Sequence, residues 1–174
     1  MSKVLVAYST NSGSTTEVAE AVAAELTDAV VMGAPMILGW QSPARQFVRK
    51  HQSELAARKT AYFACAMRLT RASRETLPPV ALTLDENLVA DEVKPGSLNI
   101  KERFTTIGYY LKSMLPPGPG AKPVSVAFFN GKMEMFRLKW WQAAFVMVVV
   151  QATPGDYRDW DVIRAWGKSL SQLV

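Results

Sequence analysis

Apolar residues form two kinds of run that alternate from the amino end of the chain. Val4 to Tyr8 is continuously apolar and rich in β-forming residues, which is typical of a strand buried on both faces. Val18, Val22 and Leu26 then recur every four residues, and this spacing predicts a helix. Further strands are predicted at residues 29–32, 60–67 and 123–129, and further helices at residues 42–57, 99–114 and 160–173. The alternation predicts one α/β domain over residues 1–174, with an open parallel sheet and helices on both faces.

Residues 68–96 interrupt this alternation. They contain Pro78 and Pro79 together with scattered acidic residues, and they show no sustained period. We predict a long irregular excursion with some strand or helical content. After it, Asn99 and Glu102 are spaced as in a capping box, which predicts the start of a helix.

Residues 132–153 are a second departure and are predicted to form an apolar helical insertion. The part from Leu138 to Val150 is apolar on nearly every side, is flanked by basic residues, and is shorter than the roughly 20 residues that span a bilayer. Near its start stand Trp140 and Trp141, and tryptophan prefers the headgroup level of a membrane. We predict that this helix contacts a membrane surface or a quinone. Burial against the sheet or against a second subunit is the alternative.

The turn between the first strand and the first helix carries the candidate chemistry. It consists of small residues with hydroxyl, amide and backbone N–H donors: Thr10, Asn11, Ser12, Gly13, Ser14 and Thr15. These donors lie where the helix dipole is positive, which suits a bound phosphate. The turn has neither a Walker loop nor a dinucleotide fingerprint, and it contains no Lys or Arg, so neutral donors must hold the phosphate. A helix cap is the alternative, although a cap needs only one such side chain.

The turn from Thr10 to Thr15 resembles the loop with which flavodoxins hold the phosphate of FMN, so the resemblance implies an FMN cofactor and a flavodoxin-like sheet. Flavodoxin-like proteins normally place a strand and a helix between this loop and the strand that carries Gly-x-Pro. Here Thr27 runs directly into Asp28, so one βα unit is missing. The usual order 2-1-3-4-5 then becomes 1-3-4-5, with four core strands and the Val4 strand at the edge. An apolar edge strand predicts homodimerisation or cover by another segment.

Ligands of open parallel sheets bind beyond the carboxyl ends of the strands, so two further loops are predicted to contact the flavin ring. One loop contributes Ala34, Pro35, Met36, Ile37, Gly39 and Trp40, and the other contributes Met67, Arg68, Leu69 and Thr70. Flavin rings need flat apolar walls, which Met36 or Trp40 could provide; packing at a helix terminus is the alternative for Trp40. Arg68 could favour the anionic reduced flavin, and a solvated loop arginine is its alternative.

The carboxyl-terminal part carries a longer resemblance. The pattern Gly-Asp-x-Arg-Asp-Trp-Asp-x-Ile-Arg-Ala-Trp, from Gly155 to Trp166, resembles the flavodoxin-domain family that includes menaquinone-dependent protoporphyrinogen IX dehydrogenases. That family implies an FMN flavoprotein that oxidises protoporphyrinogen and passes electrons to a quinone at the inner face of the membrane. Four charged side chains of the pattern could orient a propionate-bearing substrate or pair with one another: Arg158, Asp159, Asp161 and Arg164.

The net charge and the scarcity of histidine and cysteine restrict the partners and cofactors that the protein could bind. The net charge of +5 favours anionic lipid headgroups or carboxylated substrates, while the spread of the basic residues predicts no nucleic-acid binding. The single His51 and the single Cys65 supply no ligand cluster, so we predict no metal site. Cys65 lies in an apolar strand and is predicted to be buried and inert. One cysteine and no signal peptide ahead of Val4 predict a cytoplasmic protein. A peripheral position on the inner face of the cell membrane is what the family resemblance implies, and the apolar stretch from Leu138 to Val150 fits it.

No amino acid is predicted as a catalytic acid or base, because a flavin carries its own redox chemistry. The leading hypothesis is an FMN-dependent oxidoreductase that moves electrons from a porphyrinogen-like substrate to a quinone. Two alternatives stay open. One is a flavodoxin-like electron carrier without a substrate site, and the other is an interaction module that binds no flavin.

Overall fold

A computed structural model of the protein describes residues 5–11, 13–25, 30–37, 39–72, 75–93, 98–115, 122–133 and 154–173. Ser12, and the apolar stretch predicted at residues 138–150, lie outside these ranges. The strands are β1 (Leu5–Tyr8), β2 (Val30–Pro35), β3 (Thr60–Ala66), β4 (Leu69–Ala72), β5 (Ala81–Leu84), β6 (Val89–Val93), β7 (Ser125–Asn130), β8 (Lys132–Met133) and β9 (Gly155–Asp156). The helices are α1 (Ser14–Ala23), α2 (Ser42–Lys50), α3 (Gln52–Ala56), α4 (Ile100–Arg103), α5 (Ile107–Met114) and α6 (Trp160–Leu173).

The central sheet separates two apolar layers. Within the described ranges, five parallel strands form it, in the order β1-β2-β3-β7-β5. Helices α1 and α6 pack on one face around Val22, Phe63 and Trp166. Helices α2, α3 and α5 pack on the other face around Met32 and Tyr62. The predicted fold class, a flavodoxin-like parallel sheet with helices on both faces, is confirmed.

The fifth strand comes from the excursion at residues 68–96. The predicted order 1-3-4-5 corresponds to β1, β2, β3 and β7 and is observed, but the predicted count of four strands is corrected to five. Strand β5 pairs with β7, and its Leu82 and Leu84 pack against the core. It covers an edge of β7 whose backbone groups would otherwise lack strand partners. The same excursion supplies β4 and β6, which pair as a separate parallel ribbon.

Strand β1 lies at the edge of the sheet, as predicted. Its ladder partner among the described strands is β2, and no second partner is seen there. Leu5 and Tyr8 are 53% and 44% exposed, so the prediction of a strand buried on both faces is wrong for β1. The physical reason is position, because an edge strand has a neighbour on one side and Val6 alone packs into the α1 layer. Homodimerisation or cover at this edge stays a prediction.

The helix predicted at residues 99–114 is divided into α4 and α5. Its capping box is confirmed, because the Asn99 N–H donates to a Glu102 carboxylate oxygen and the Glu102 N–H donates to the Asn99 side chain, both at 2.9 Å. A second cap then forms, where the Thr106 hydroxyl accepts from the Tyr109 N–H at 3.2 Å. The second cap starts a new helix, because it satisfies one of the N–H groups that the first turn of this new helix leaves without an intrahelical partner. The helix predicted at residues 42–57 is likewise divided, at His51, into α2 and α3.

Candidate functional site

The loop between β1 and α1 is held at the carboxyl edge of the sheet. The Ser9 N–H donates to the Gly33 carbonyl oxygen at 3.0 Å and continues the strand pairing. Gly13 precedes α1 with φ of 86°, a left-handed conformation that glycine adopts without strain. The Gly13 N–H donates to the Thr10 hydroxyl at 2.9 Å, which closes the turn on itself. Among the described residues no side chain caps α1, so the cap alternative does not account for their hydroxyls.

The Thr15 hydroxyl is a buried polar group that lacks a hydrogen-bond partner among the described residues. The Thr15 side chain is fully buried. The hydroxyl lies close enough to the Cys65 thiol to influence its pKa, yet the two atoms do not meet as a hydrogen bond. An unsatisfied buried hydroxyl is unfavourable unless a ligand pairs with it. In the first turn of α1 the Thr16 N–H donates to the Gly13 carbonyl oxygen at 3.0 Å. Helix geometry leaves the Ser14 and Thr15 N–H groups without intrahelical acceptors, so this donor set fits a phosphate.

Gln41 ties the loop between β1 and α1, the candidate phosphate loop of residues 10–15, to the loop after β2. Its side-chain carbonyl accepts from the Ser9 hydroxyl at 2.8 Å, and its side-chain NH₂ donates to the Asn11 carbonyl oxygen at 2.7 Å. The Gln41 N–H donates to the Pro35 carbonyl oxygen at 3.3 Å. No hydrogen bond from the Asn11 NH₂ group to the described residues is seen. Gln41 was not predicted from the sequence, because no pattern of neighbouring residues indicates that its side chain contacts Asn11, 30 positions earlier.

The loop after β2 contributes less surface than predicted. Trp40 is fully buried, stacks on Tyr62 at 5.5 Å between ring centroids, and donates its indole N–H to the Phe63 carbonyl oxygen at 3.2 Å. Met36 is also buried and forms a bridge with Trp40. Trp40 and Met36 are therefore core residues, which corrects the interpretation of their side chains as an exposed flavin wall. The cause is a turn of the loop, because the Ile37 N–H donates to the Gly39 carbonyl oxygen and directs Trp40 inward.

The other predicted residues of the loop after β2 differ in their exposure to solvent. Ala34 and Gly39 are buried, whereas Pro35 is half-buried and Ile37 is exposed. Among the described residues of this loop, Ile37 is therefore the apolar side chain most exposed to solvent. The sequence pattern could not separate Ile37 from Met36 and Trp40, because all three are apolar and adjacent to the same turn.

The loop after β3 is short because β4 begins at once. Leu69 and Thr70 are fully buried, and the Thr70 hydroxyl is 2.9 Å from the Thr105 hydroxyl, so these side chains do not reach the predicted ring site. Met67 is half-buried and Arg68 is exposed. Arg68 is 3.8 Å from a carboxylate oxygen of Glu102. This ion pair fits the solvated-arginine alternative and reduces the charge that Arg68 would present to a flavin.

The segment after β7 reaches the phosphate loop from the other side. The Tyr157 N–H donates to the Gly131 carbonyl oxygen at 3.2 Å, which places the next residue, Arg158, against α1. The Arg158 guanidinium contacts Asp156 and Glu17, and the Asp156 carboxylate raises the pKa of Arg158 while Arg158 lowers the pKa of Asp156. The sequence spacing predicted ion pairs between Arg158 and charged residues that follow it closely in the chain, such as Asp161. The observed partners lie instead on β9 and on α1.

A buried carboxylate joins the ends of β5 and β7. Asp85 accepts from the Asn130 N–H at 3.1 Å and from the Asn87 N–H at 3.0 Å. Burial raises the pKa of Asp85, the two N–H groups act in the opposite direction, and the negative charge of Asp159 raises the pKa further. These contacts explain how the fifth strand is held at the carboxyl edge.

Cys65 is buried beside Thr15, which confirms its predicted burial. Burial raises the pKa of the Cys65 thiol to about 12, although the Thr15 hydroxyl and the Arg158 charge both act to lower it. Because the thiolate is the reactive form, we expect Cys65 to react with a thiol reagent at about pH 8 at least ~100-fold more slowly in the folded protein than in denaturant. Thiol titration with and without denaturant measures this ratio. Similar rates in both states would contradict it.

The part of the chain that the structure describes contains neither a cluster of metal ligands nor a membrane-spanning helix. No group of three or more His, Cys, Asp or Glu side chains there could hold a metal ion. None of the helices found in the described ranges has the length and apolar character needed to cross a bilayer.

An open parallel sheet of this order, with a donor-rich loop at the start of α1, defines a flavodoxin-like α/β protein. A family model described as "Flavodoxin domain" matches residues 25–159, and the chain therefore belongs to the flavodoxin-domain family. This membership indicates FMN binding and electron transfer. The matched range includes the loops after β2 and β3 and begins after the phosphate loop. No curated protein and no solved structure matches the chain.

Proposed function

We propose that the protein binds FMN at the carboxyl edge of the sheet and oxidises a porphyrinogen-like substrate, with a quinone as electron acceptor. The observation that carries FMN binding is the buried Thr15 hydroxyl in the first turn of α1, which has no hydrogen-bond partner among the described residues. FMN, when bound, supplies the hydride and electron chemistry. The protein's own task is to hold the phosphate, to contact the ring and to limit access of water.

The proposed phosphate donors are the hydroxyls and amide of Thr10, Asn11, Ser14 and Thr15, together with backbone N–H groups of the first turn. Pro35, Ile37 and Met67 are the proposed apolar contacts of the ring, because they are the predicted members of the two ring loops whose apolar side chains are exposed or half-buried. Trp40 and Leu69 support these loops from the core. We propose no side chain as an acid or base.

Three features of the sequence support the assignment of a porphyrinogen-like substrate and a quinone acceptor. The pattern from Gly155 to Trp166 resembles the protoporphyrinogen-dehydrogenase group, and its Arg158 contacts α1 next to the phosphate loop. The stretch at residues 138–150 combines apolar character with flanking charge, which suits contact with a quinone or with a membrane surface. The net positive charge is consistent with a carboxylated substrate and with anionic lipid.

The first experiment is a titration of the purified protein with FMN at micromolar concentration, followed by the quenching of flavin fluorescence. The complex is then mixed anaerobically with protoporphyrinogen, and separately with an unrelated dihydro compound. We expect quenching, and bleaching of the flavin absorbance by protoporphyrinogen alone. Quenching without bleaching would exclude this substrate and leave an electron carrier. No quenching would exclude FMN binding and leave an interaction module.

Flotation of the same FMN complex with anionic liposomes provides a second readout. A protein that meets a quinone at the membrane should rise with the vesicles, and the effect should weaken as salt screens its net charge. A soluble carrier should remain in the aqueous layer.

A further inference from the structure

A buried arginine lies against the first turn of α1. The side chain of Arg158 is 2% exposed, and its Nη1 is 2.8 Å from a Glu17 carboxylate oxygen. The same Nη1 donates to the Ser14 carbonyl oxygen at 3.4 Å. Its Nε donates to Asp156 Oδ1 at 2.7 Å. One guanidinium therefore joins β9 to the helix that begins at the phosphate loop.

The packing of Arg158 leaves it little freedom. The guanidinium carbon lies 4.5 Å from the centre of the Trp160 ring, so the cation is covered on one side by an aromatic face. Burial of a charge is unfavourable unless the charge is paired and hydrogen-bonded, and Arg158 meets both conditions through Glu17 and Asp156. A bidentate pair with Asp156 also sets the plane of the guanidinium. Arg158 is thus a rigid positive charge beside the helix terminus.

Glu17 creates an electrostatic conflict at this terminus. Its carboxylate lies in the first turn of α1, where a negative charge is favourable to the helix dipole. A phosphate bound at the same terminus would be repelled by that carboxylate and by Asp156. With Arg158 the three side chains carry one net negative charge, and without it they would carry two.

We infer that Arg158 neutralises the carboxylates beside the phosphate loop and thereby makes the site selective for FMN over riboflavin. The inference rests on the proposed function, because it concerns the same cofactor site. Arg158 is a positioning residue: it acts on the phosphate through Glu17, Asp156 and the first turn of α1. Riboflavin lacks the phosphate, so its binding should not respond to the local charge.

The test compares dissociation constants for FMN and riboflavin at low salt, measured by fluorescence quenching. In Arg158→Met, we expect FMN to bind about tenfold more weakly, the size of effect that follows from losing one nearby positive charge at an effective dielectric constant of about 20, while riboflavin changes little. In the double variant Arg158→Met with Glu17→Gln, the net charge returns to the wild-type value, and we expect FMN affinity to recover. Arg158→Lys keeps the charge and should keep most of the preference for FMN.

Equal losses for both flavins in Arg158→Met, or no recovery in the double variant, would show that Arg158 only supports the fold. If Arg158→Met does not fold, as judged by its thermal unfolding, the single variant Glu17→Gln decides. It removes a negative charge and should tighten FMN without tightening riboflavin, and an unchanged ratio would overturn the inference. Wild-type protein that binds neither flavin would overturn the proposed function and this inference together, whereas FMN binding with unchanged selectivity in every variant overturns the inference alone.

Discussion

Replacement of Thr15 by valine is expected to weaken FMN binding by about ten- to a hundredfold and to stabilise the flavin-free protein by about 1 kcal/mol. The two effects have opposite signs for one reason. The Thr15 hydroxyl is buried without a partner in the described structure, so its removal relieves an unsatisfied polar group. The same hydroxyl is a proposed donor to the phosphate, and a hydrogen bond to a charged group is among the stronger ones. Thermal unfolding and FMN titration measure the two quantities separately.

Thr16→Val is the matched control, because Thr16 lies in the same turn but is only half-buried. It should change neither quantity by a comparable amount. Thr15→Ser retains the hydroxyl and should retain most of the FMN affinity. Lower stability of flavin-free Thr15→Val, or FMN affinity equal to that of the wild type, would contradict the assignment of Thr15 as a phosphate donor.

Replacement of Gly33 by alanine is expected to lower the free energy of unfolding by about 3 kcal/mol or more, through overpacking. Gly33 lies in β2, and a Cβ added there would stand 2.0 Å from the tip of the Phe63 ring. Phe63 is fully buried against Phe129 and Trp166, so its ring cannot move aside cheaply. The carbonyl of Gly33 also accepts from Ser9, so the same strain reaches the phosphate loop. Denaturant unfolding checks the stability, and FMN titration checks the loop.

Gly155→Ala provides the comparison, because its added Cβ would meet the ring of Tyr157 at 3.0 Å, and Tyr157 is 40% exposed whereas Phe63 is fully buried. Gly155→Ala should lower the free energy of unfolding by about 1 kcal/mol or less. Adding Phe63→Leu to Gly33→Ala should recover part of the loss, since the smaller side chain makes room for the new methyl group. A Gly33→Ala protein as stable as the wild type would contradict the close packing of Phe63 on β2.

Local patterns predicted much of the fold because they act over a few residues. The capping box of Asn99 and Glu102 forms as expected, since both partners lie in one helical turn. The apolar runs located β2, β3 and β7, because a strand covered on both faces needs apolar residues at every position. The short connection after α1 predicted that β1 lies at the edge, next to β2. The family resemblance is supported at the level of the flavodoxin domain.

The candidate site was predicted in part for the same reason. The turn from Thr10 to Thr15 is contiguous, so its donors and its position before a helix are visible in the sequence. The sequence does not show that the Thr15 hydroxyl lacks a hydrogen-bond partner among the described residues. This depends on which side chains surround the hydroxyl in the folded protein, and the sequence pattern does not predict those neighbours.

The sequence alone was sufficient for the strand–loop–helix unit, the parallel sheet and the donors of the loop, since each depends on neighbouring residues and on burial by type. Three-dimensional contacts were needed to turn Trp40 into the core, to add β5 beside β7, and to bring Arg158 to Glu17. Each of these involves partners far apart in the chain, and an isolated apolar or charged residue has many possible partners of similar energy. Packing of the whole domain selects among them, because it alone decides which groups lose their contact with water.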